Sequence, residues 1–338
     1  MHHTVRGLAA RAARALSAAA LMAAAASAFA QEKVSYNMAW LPQGSSIGVI
    51  VAQERGFFRE LGLEANIMRG YGGNRTANEL DQGQFDFGYV DPISLVLNRA
   101  NGGKIRMIGA LNTRWPAGIC FDTARHHPRT PADMKGLLLG GGSASPVHNV
   151  VPAWLAQNGL PKDSIRLLRM DPAVVDASLI EGRIDLAECW RASNRAVTLK
   201  QAAAAGVKLG WIEYGDFGLD AYGSGFATSE ETLRKRPETV RKFLRGAYRG
   251  YEWAMANPEP AADIMVKMFP ATDRAVALAQ IKDVADLLVD PQAKDKGLGF
   301  QREDRMRSTV EFVDKAFDLK GKVKAQDIYT NELLGAGQ

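Results

Sequence analysis

The sequence has few cysteines and histidines. Of its 338 residues, only 2 are cysteine and 5 are histidine. Two cysteines, Cys120 and Cys189, exclude a small disulfide-built scaffold and a zinc site made of four cysteines. They could pair in an oxidising compartment, but both lie in mostly apolar segments, and we expect two small buried thiols.

Sequence motifs for nucleophilic, metal-dependent or nucleotide chemistry are also missing. Gly140-Gly141-Gly142 follows a predicted strand and precedes a predicted helix, as in a phosphate-binding loop. The Lys-Ser/Thr pair that completes such a loop does not follow it. We therefore predict a protein that is not an enzyme, with no catalytic residues, no metal site and no cofactor.

Long hydrophobic runs are absent after residue 31, but the first thirty residues differ from the rest. Their only charges are Arg6, Arg11 and Arg14, and an apolar stretch over residues 16–30 ends in Ala-Phe-Ala. This order is typical of a secretory signal peptide, so residues 1–30 are predicted to be a leader cleaved after Ala30. Removal of the three arginines lowers the formal net charge from +5 to +2. Such a balance argues against a nucleic-acid partner, and we predict a soluble periplasmic protein.

Strands and helices alternate along the chain in two series. The first series covers residues 34–111, the second covers residues 136–214, and helices dominate after residue 229. Alternation at this spacing predicts parallel sheets flanked by helices. A single doubly wound sheet is the competing arrangement, but the restart of the pattern favours an α/β fold of two lobes. We assign residues 31–120 and 226–338 to lobe 1 and residues 121–225 to lobe 2, with a crossing near residues 128–135.

Candidate binding residues cluster where predicted strands end. Ligands of open α/β sheets bind beside the carboxyl ends of the strands, so two lobes would form a cleft there. Ser143, Ser145 and Asp91 precede predicted helices, where each could cap the helix or serve a ligand, and both interpretations remain open. His148 lies beside the glycine-rich loop and is the only histidine suited to a site.

Aromatic and polar residues stand at the same loops. Trp40, Trp115, Trp190 and Tyr222 could form walls that stack on a flat ligand. The polar residues expected at the rim of the cleft are Gln43, Ser45, Asn74, Arg75, Asn112, Arg114, Arg191 and Asn194.

Several segments carry a resemblance to a known family. They are Trp40-Leu41-Pro42, Glu54-Arg55-Gly56-Phe57-Phe58, Leu61-Gly62-Leu63, and residues 80–88, 179–186 and 237–244. The mature chain resembles the periplasmic solute-binding proteins of ABC importers, in the branch that binds sulfonates, taurine, nitrate and thiamine-pyrimidine precursors. The resemblance implies a two-lobed periplasmic-binding-protein fold, of type II, with a helical C-terminal part.

The resemblance also implies a function and a partner. A monomeric receptor would capture a small organic solute, either aromatic or heterocyclic or acidic, and pass it to a permease in the inner membrane. By position, the pocket loops of the family match Trp40, Gln43, Asn74, Asp91, Ser143, Ser145 and Trp190. Two alternatives remain, a receptor coupled to a sensor and a pyrimidine-metabolising enzyme. The related eukaryotic pyrimidine synthases share the fold and carry a Cys-Cys-Cys-Phe-Cys signature, which this sequence lacks.

Overall fold

The computed structural model describes residues 31–335, so the predicted leader at residues 1–30 lies outside the described residues. Ten strands form two five-stranded sheets. The strands are β1 (Glu32–Asn37), β2 (Leu63–Met68), β3 (Phe87–Val90), β4 (Ile105–Ala110), β5 (Ala117–Asp122), β6 (Leu138–Gly142), β7 (Arg166–Met170), β8 (Leu186–Trp190), β9 (Leu209–Glu213) and β10 (Gly225–Ser229).

Helices flank both sheets and make up most of the chain after β10. They are α1 (Ile47–Glu54), α2 (Phe57–Glu60), α3 (Gly73–Asp81), α4 (Pro92–Ala100), α5 (Val147–Gln157), α6 (Val175–Ile180), α7 (Asn194–Ala204), α8 (Glu230–Lys235), α9 (Pro237–Ala256), α10 (Pro258–Met268), α11 (Arg274–Leu288), α12 (Glu303–Phe317) and α13 (Ala325–Ile328). In residues 31–335, no helix combines the length and the hydrophobicity needed to cross a membrane.

Each sheet contains one antiparallel strand, which the chain forms directly after it passes over from the other sheet. The first sheet has the order β2-β1-β3-β10-β4, and the second has the order β7-β6-β8-β5-β9. β10 is antiparallel to β3 and β4, and β5 is antiparallel to β8 and β9. The predicted α/β fold of two lobes is confirmed, with one mostly parallel sheet in each lobe.

The chain crosses between the described sheets at residues 111–116 and 219–224. These two segments are paired, since the Asn112 N–H donates to the Ser224 carbonyl at 2.8 Å and the Gly223 N–H donates to the Asn112 carbonyl at 3.0 Å. A Cβ on Gly223 would lie 2.5 Å from the Cβ of Asn112, so glycine allows the close approach. The paired segments place the hinge of the molecule at one location.

The predicted crossing near residues 128–135 is wrong. β5 precedes that segment and already belongs to the second sheet, and the segment itself contains a single 3₁₀ turn, Pro131–Met134. Every residue of β5 is buried, so the strand shows no alternation of polar and apolar residues that would mark it in the sequence. The lobe boundaries predicted at 120/121 and 225/226 fall within β5 and β10.

Stacked aromatic rings fill the core of the first lobe. The rings of Phe87 and Phe243 lie 3.9 Å apart, and Phe58 and Phe226 pack on the same side chain of α9. The second lobe is centred on Trp154, which is fully buried. Apolar residues of α12 join a cluster that includes residues of α4 and α5, and so link the two lobes behind the hinge.

A disulfide bond joins Cys120 on β5 to Cys189 on β8, and the expectation of two free thiols is wrong. Their Cα atoms are 5.8 Å apart, and 69 residues separate them in the sequence. The two strands are neighbours in the second sheet, a proximity that sequence spacing alone does not reveal. The bond ties the strand that enters the second lobe to the strand that carries Trp190.

We predict that the double variant Cys120→Ser/Cys189→Ser unfolds more easily by about 2–4 kcal/mol, because a cross-link of this span restricts the unfolded chain. Urea unfolding of the oxidised wild type and the variant measures the difference. Adding a reductant should destabilise the wild type and leave the variant unchanged. Equal midpoints of the oxidised proteins would contradict this prediction.

Candidate functional site

A cavity lies between the two lobes, next to the paired crossing segments. Its volume is about 50 Å³, which is room for only a few non-hydrogen atoms. The lining comes from both lobes and the crossing: Ala39, Trp40, Gln43, Gly72, Gly73, Tyr89, Asp91, Ser145, Pro146, Trp190, Arg191, Ser193 and Ser224. The arrangement encloses a site that neither lobe forms alone.

Trp40 of the first lobe packs against bare backbone of the second. It follows Ala39, whose φ of +60° turns the chain sharply after β1. The indole ring lies over Gly142 at the end of β6, where a Cβ would be only 2.2 Å from the Trp40 Cη2 atom. Glycine at this position therefore allows the two lobes to approach closely.

Hydrogen bonds cross the cleft at one side of the cavity. The Asn74 N–H donates to the Ala144 carbonyl and its side-chain amide donates to the Ser145 carbonyl, both at 3.2 Å. Asn149 in turn donates its side-chain amide to the Asn74 side-chain oxygen at 3.2 Å. Gly72 lies so close to Ala144 that a Cβ would be 2.3 Å from its carbonyl group.

A second set of polar contacts crosses the cleft on the other side of the cavity. The Ser193 hydroxyl donates to the Gln43 side chain, and the Ser45 N–H donates to the Ala192 carbonyl at 2.9 Å. The Gln280 side-chain amide donates to the Ser193 carbonyl at 2.6 Å. Together with the first set, these contacts show a closed arrangement of the lobes.

Asp91 is the acidic residue of the cavity lining. The residue is 1% exposed and accepts hydrogen bonds from the N–H and hydroxyl of Ser94, at 2.9 and 2.6 Å. Burial raises the pKa of this carboxyl, and no lysine, arginine or histidine in residues 31–335 forms an ion pair with it. The neighbouring Tyr89 hydroxyl accepts a hydrogen bond from Asn112 at 2.6 Å, and burial raises the pKa of this phenol to about 12. The cavity thus offers oxygen acceptors to a ligand that carries N–H or O–H donors.

Glu188 organises the second-lobe wall, although sequence reasoning missed it. This buried side chain on β8 accepts from the Gly142 N–H at 2.5 Å, from the Trp190 ring N–H at 2.9 Å and from the Ser145 hydroxyl. Burial raises the pKa of the carboxyl. An acid in the middle of the apolar strand Leu186–Trp190 was the signal that could have found it.

Five of the predicted site residues line the cavity: Trp40, Gln43, Asp91, Ser145 and Trp190. Asn74 lies beside the cavity, in the contacts across the cleft. Trp115 is buried behind Trp190, with 5.3 Å between the ring centroids. Tyr222 is fully buried, and its hydroxyl accepts from the Arg302 N–H at 2.8 Å.

The loop of residues 143–146 differs most from its expected role, which was to bind a ligand. Ser143 is exposed and does not line the cavity, while the Ser145 hydroxyl donates to Glu188. His148 is turned toward the loop backbone, where its Nε2 hydrogen-bonds the Gly142 carbonyl at 2.9 Å. Burial lowers the pKa of this imidazole. The loop therefore supports the wall of the cavity more than it presents donors to an anion.

The acid in the cavity predicts a pH dependence of stability. The pKa of Asp91 is higher in the folded protein than in the unfolded chain, so folded Asp91 keeps its proton to a higher pH. The protonated carboxyl favours the folded state. This contribution to the free energy of unfolding is lost as the pH rises from about 4 through the raised pKa. Over this pH range, the free energy of unfolding of the wild type should fall relative to that of Asp91→Asn. Urea unfolding at several pH values measures the difference.

Asp273→Asn serves as the matched control, since Asp273 also caps a helix. Its hydrogen bond from Lys200 lowers the pKa of that carboxyl, so the wild type should gain stability over Asp273→Asn as the pH rises. Parallel pH profiles for the wild type and Asp91→Asn would contradict the account of Asp91.

The packing of Trp40 on Gly142 predicts that Gly142→Ala hinders closure, because the added methyl group occupies the position of the ring. Overpacking of this kind typically costs about 1–3 kcal/mol. Small-angle scattering of the ligand-free variant should give a larger radius of gyration than the wild type. Gly215→Ala is the control, since its methyl group meets no atom within 4 Å. Identical scattering of all three proteins would contradict the prediction.

Comparisons with known proteins find relatives that match most of the chain. The riboflavin-binding protein RibY of Chloroflexus aurantiacus is 25% identical over 315 residues, which cover 90% of this chain and 87% of RibY. A formylaminopyrimidine-binding protein of Halalkalibacterium halodurans is 21% identical over 310 residues, covering 89% of this chain and 91% of that protein. The synthase THI5 of Saccharomyces cerevisiae, named for 4-amino-5-hydroxymethyl-2-methylpyrimidine phosphate, is 22% identical over 238 residues, covering 68% and 69%.

Solved structures share the fold. The alkanesulfonate-binding protein SsuA from Xanthomonas axonopodis, bound to MOPS, matches with a TM-score of 0.67 and 16% identity, covering 89% of this chain and 99% of SsuA. The predicted periplasmic-binding-protein fold is therefore confirmed. The family model described as NMT1/THI5 like matches residues 43–261. With most of its length matched, and with a two-lobed fold that encloses a cavity, this chain belongs to the NMT1/THI5-like family.

Proposed function

We propose that the protein is a solute-binding receptor that captures a small organic molecule between its lobes and delivers it to an ABC importer. The observation that carries the proposal is a cavity whose walls come from both lobes, while the chain crosses between the described sheets only at the paired segments. Relatives named as binding proteins for riboflavin and formylaminopyrimidine support it. The moving units are the two predicted lobes, residues 31–120 with 226–338 and residues 121–225, with their boundaries shifted to the crossing segments 111–116 and 219–224.

Binding works by closure in this proposal. A solute that contacts Trp40 and Asp91 on one lobe and Trp190 on the other gains its full contacts only when the lobes meet. It therefore shifts the population from open to closed forms. No covalent bond is made or broken, and release to the permease requires the lobes to separate again.

The chemistry of the cavity favours a donor-bearing heterocycle over an acidic solute. Asp91 accepts hydrogen bonds, and a buried carboxylate disfavours a second negative charge next to it. Arg191 is the cation of the lining, but its guanidinium pairs with Asp283 at 3.5 Å and Asp286 at 3.0 Å. Trp190 lines the cavity, and Trp40 lines both the cavity and the wider space outside it. Trp40 therefore supplies aromatic surface for a ring that the cavity of about 50 Å³ does not hold.

The proposed function also implies the compartment and the membrane partner of the protein. The leader at residues 1–30 is removed after Ala30, and the monomer then works in the periplasm with a permease of the inner membrane as its partner. The oxidising character of that compartment fits the Cys120–Cys189 disulfide.

An enzyme on the same fold is the alternative that the yeast synthase relative raises. Its only histidine candidate from the sequence, His148, does not line the cavity and is engaged with the Gly142 carbonyl. A general base must reach the proton that it removes, and this side chain would have to turn away from its present partner to do so. The geometry favours the receptor.

We predict that a donor-bearing heterocycle, from a library of aminopyrimidines, flavins, aromatic carboxylates and sulfonates, raises the melting temperature of the exported protein. A ligand that binds only the folded state must do so. Asp91→Asn should weaken the affinity for that compound at least tenfold, because the amide replaces one acceptor oxygen by a donor.

The matched control is Asp171→Asn, since Asp171 is an exposed aspartate that caps the corresponding turn of the second lobe. It should bind as the wild type does. If no compound raises the melting temperature and one of them is turned over, the enzyme alternative replaces the receptor.

A further inference from the structure

A second and larger space adjoins the cavity at the outer side of the cleft. It is a groove of about 710 Å³ between α7 of the second lobe and the segment 268–276 that joins α10 to α11. The cavity and the groove share Trp40, Gln43 and Ser193 as lining residues. These three residues therefore border both spaces.

The lining of the groove includes an apolar surface and two acidic residues, Asp176 and Asp273. Trp40, Leu41 and Pro42 form one side, and Val197 and Phe269 face it from the two lobes. These five side chains are all half-buried, so they hold a sheltered surface without being part of a core. Such walls suit an aromatic or apolar body.

Asp176 places hydrogen-bond acceptors in the groove. Its Oδ1 atom accepts from the Asn194 amide at 3.0 Å and from the Thr198 hydroxyl at 2.8 Å. Lys200, the cation of α7 that lines the groove, pairs instead with Asp273. Within residues 31–335 no cation forms an ion pair with Asp176, and its carboxylate is available to a hydroxyl or amine of a ligand.

The volumes of the cavity and the groove limit where a ring of the solute can bind. A cavity of about 150 Å³ is known to admit a benzene ring, and pockets for organic ligands usually measure about 300–1,000 Å³. The inner cavity, at about 50 Å³, holds no ring in the closed form. The groove, at about 710 Å³, has room for one.

One hydrogen bond links two of the residues that border both the cavity and the groove. The Ser193 hydroxyl donates it to the Gln43 side chain. A single neutral hydrogen bond contributes little net free energy, because groups of a ligand can replace it. A solute that replaces this bond would join the cavity to the groove.

We propose, resting on the proposed receptor function, that the solute is a two-part molecule that passes between Gln43 and Ser193. A compact polar end occupies the inner cavity beside Asp91, and a ring-bearing body lies in the outer groove between Trp40 and Val197. The specificity of the receptor then includes the length of the solute as well as its ring.

Two pairs of probes test the inference by titration calorimetry: riboflavin with lumichrome, and thiamine with 4-amino-2,5-dimethylpyrimidine. In each pair the first compound extends the ring of the second. We expect the extended member of at least one pair to bind the wild type at least tenfold more tightly than its ring-only partner. Val197→Trp fills the groove and should weaken binding of that extended compound at least tenfold.

Leu199→Trp is the matched control, because Leu199 is an exposed residue of the same helix that does not line the groove. It should bind as the wild type does, and unliganded melting temperatures verify that both variants fold. Tighter binding of the ring-only compounds, an unchanged affinity in Val197→Trp, or no binding by either pair would overturn the inference. The proposed receptor function is tested separately by the wider library and would survive each of these outcomes if another compound raises the melting temperature.

Discussion

The structure depends on two short crossing segments that hydrogen-bond to each other. Because residues 111–116 and 219–224 are paired, the connections between the described sheets lie at one place. The antiparallel strands β5 and β10 follow from this connection, since each enters the sheet of the opposite lobe directly after a crossing. The apolar residues of α12 cover the back of the same hinge.

The contacts across the cleft are of a kind that water can replace. Most are hydrogen bonds from backbone groups or short amide and hydroxyl side chains, each of which contributes little net free energy. Close packing limits how near the two lobes can come to each other, because the Trp40 ring contacts Gly142 and Gly72 contacts Ala144. A cleft that closes on weak polar contacts and close backbone packing can respond to a small solute, whose own contacts are comparable in number.

Much of this architecture could be predicted from the sequence because strand–helix alternation and strand ends have local signals. Trp40, Asp91 and Trp190 follow or end predicted strands, and the geometry of parallel sheets brings such positions to one edge. Ser143, His148 and Tyr222 share that signal, but the direction of each side chain depends on packing. Ser143 is exposed, and His148 and Tyr222 bond to other partners. The disulfide and the β5 strand depend on contacts between segments distant in sequence, which spacing and composition do not encode. Glu188 did have a local signal, since it is an acid within an apolar strand.

The central claim is that the lobes move as units and that a solute shifts them to the closed form. Spin labels attached through Ala203→Cys on α7 and Ala271→Cys on the opposite rim report the distance between lobes by pulsed electron resonance, since the native cysteines are paired. The account predicts a broad or double distribution in the free protein that narrows to its shorter component when a compound that raises the melting temperature is added. A single distance, unchanged by such a compound, would contradict it.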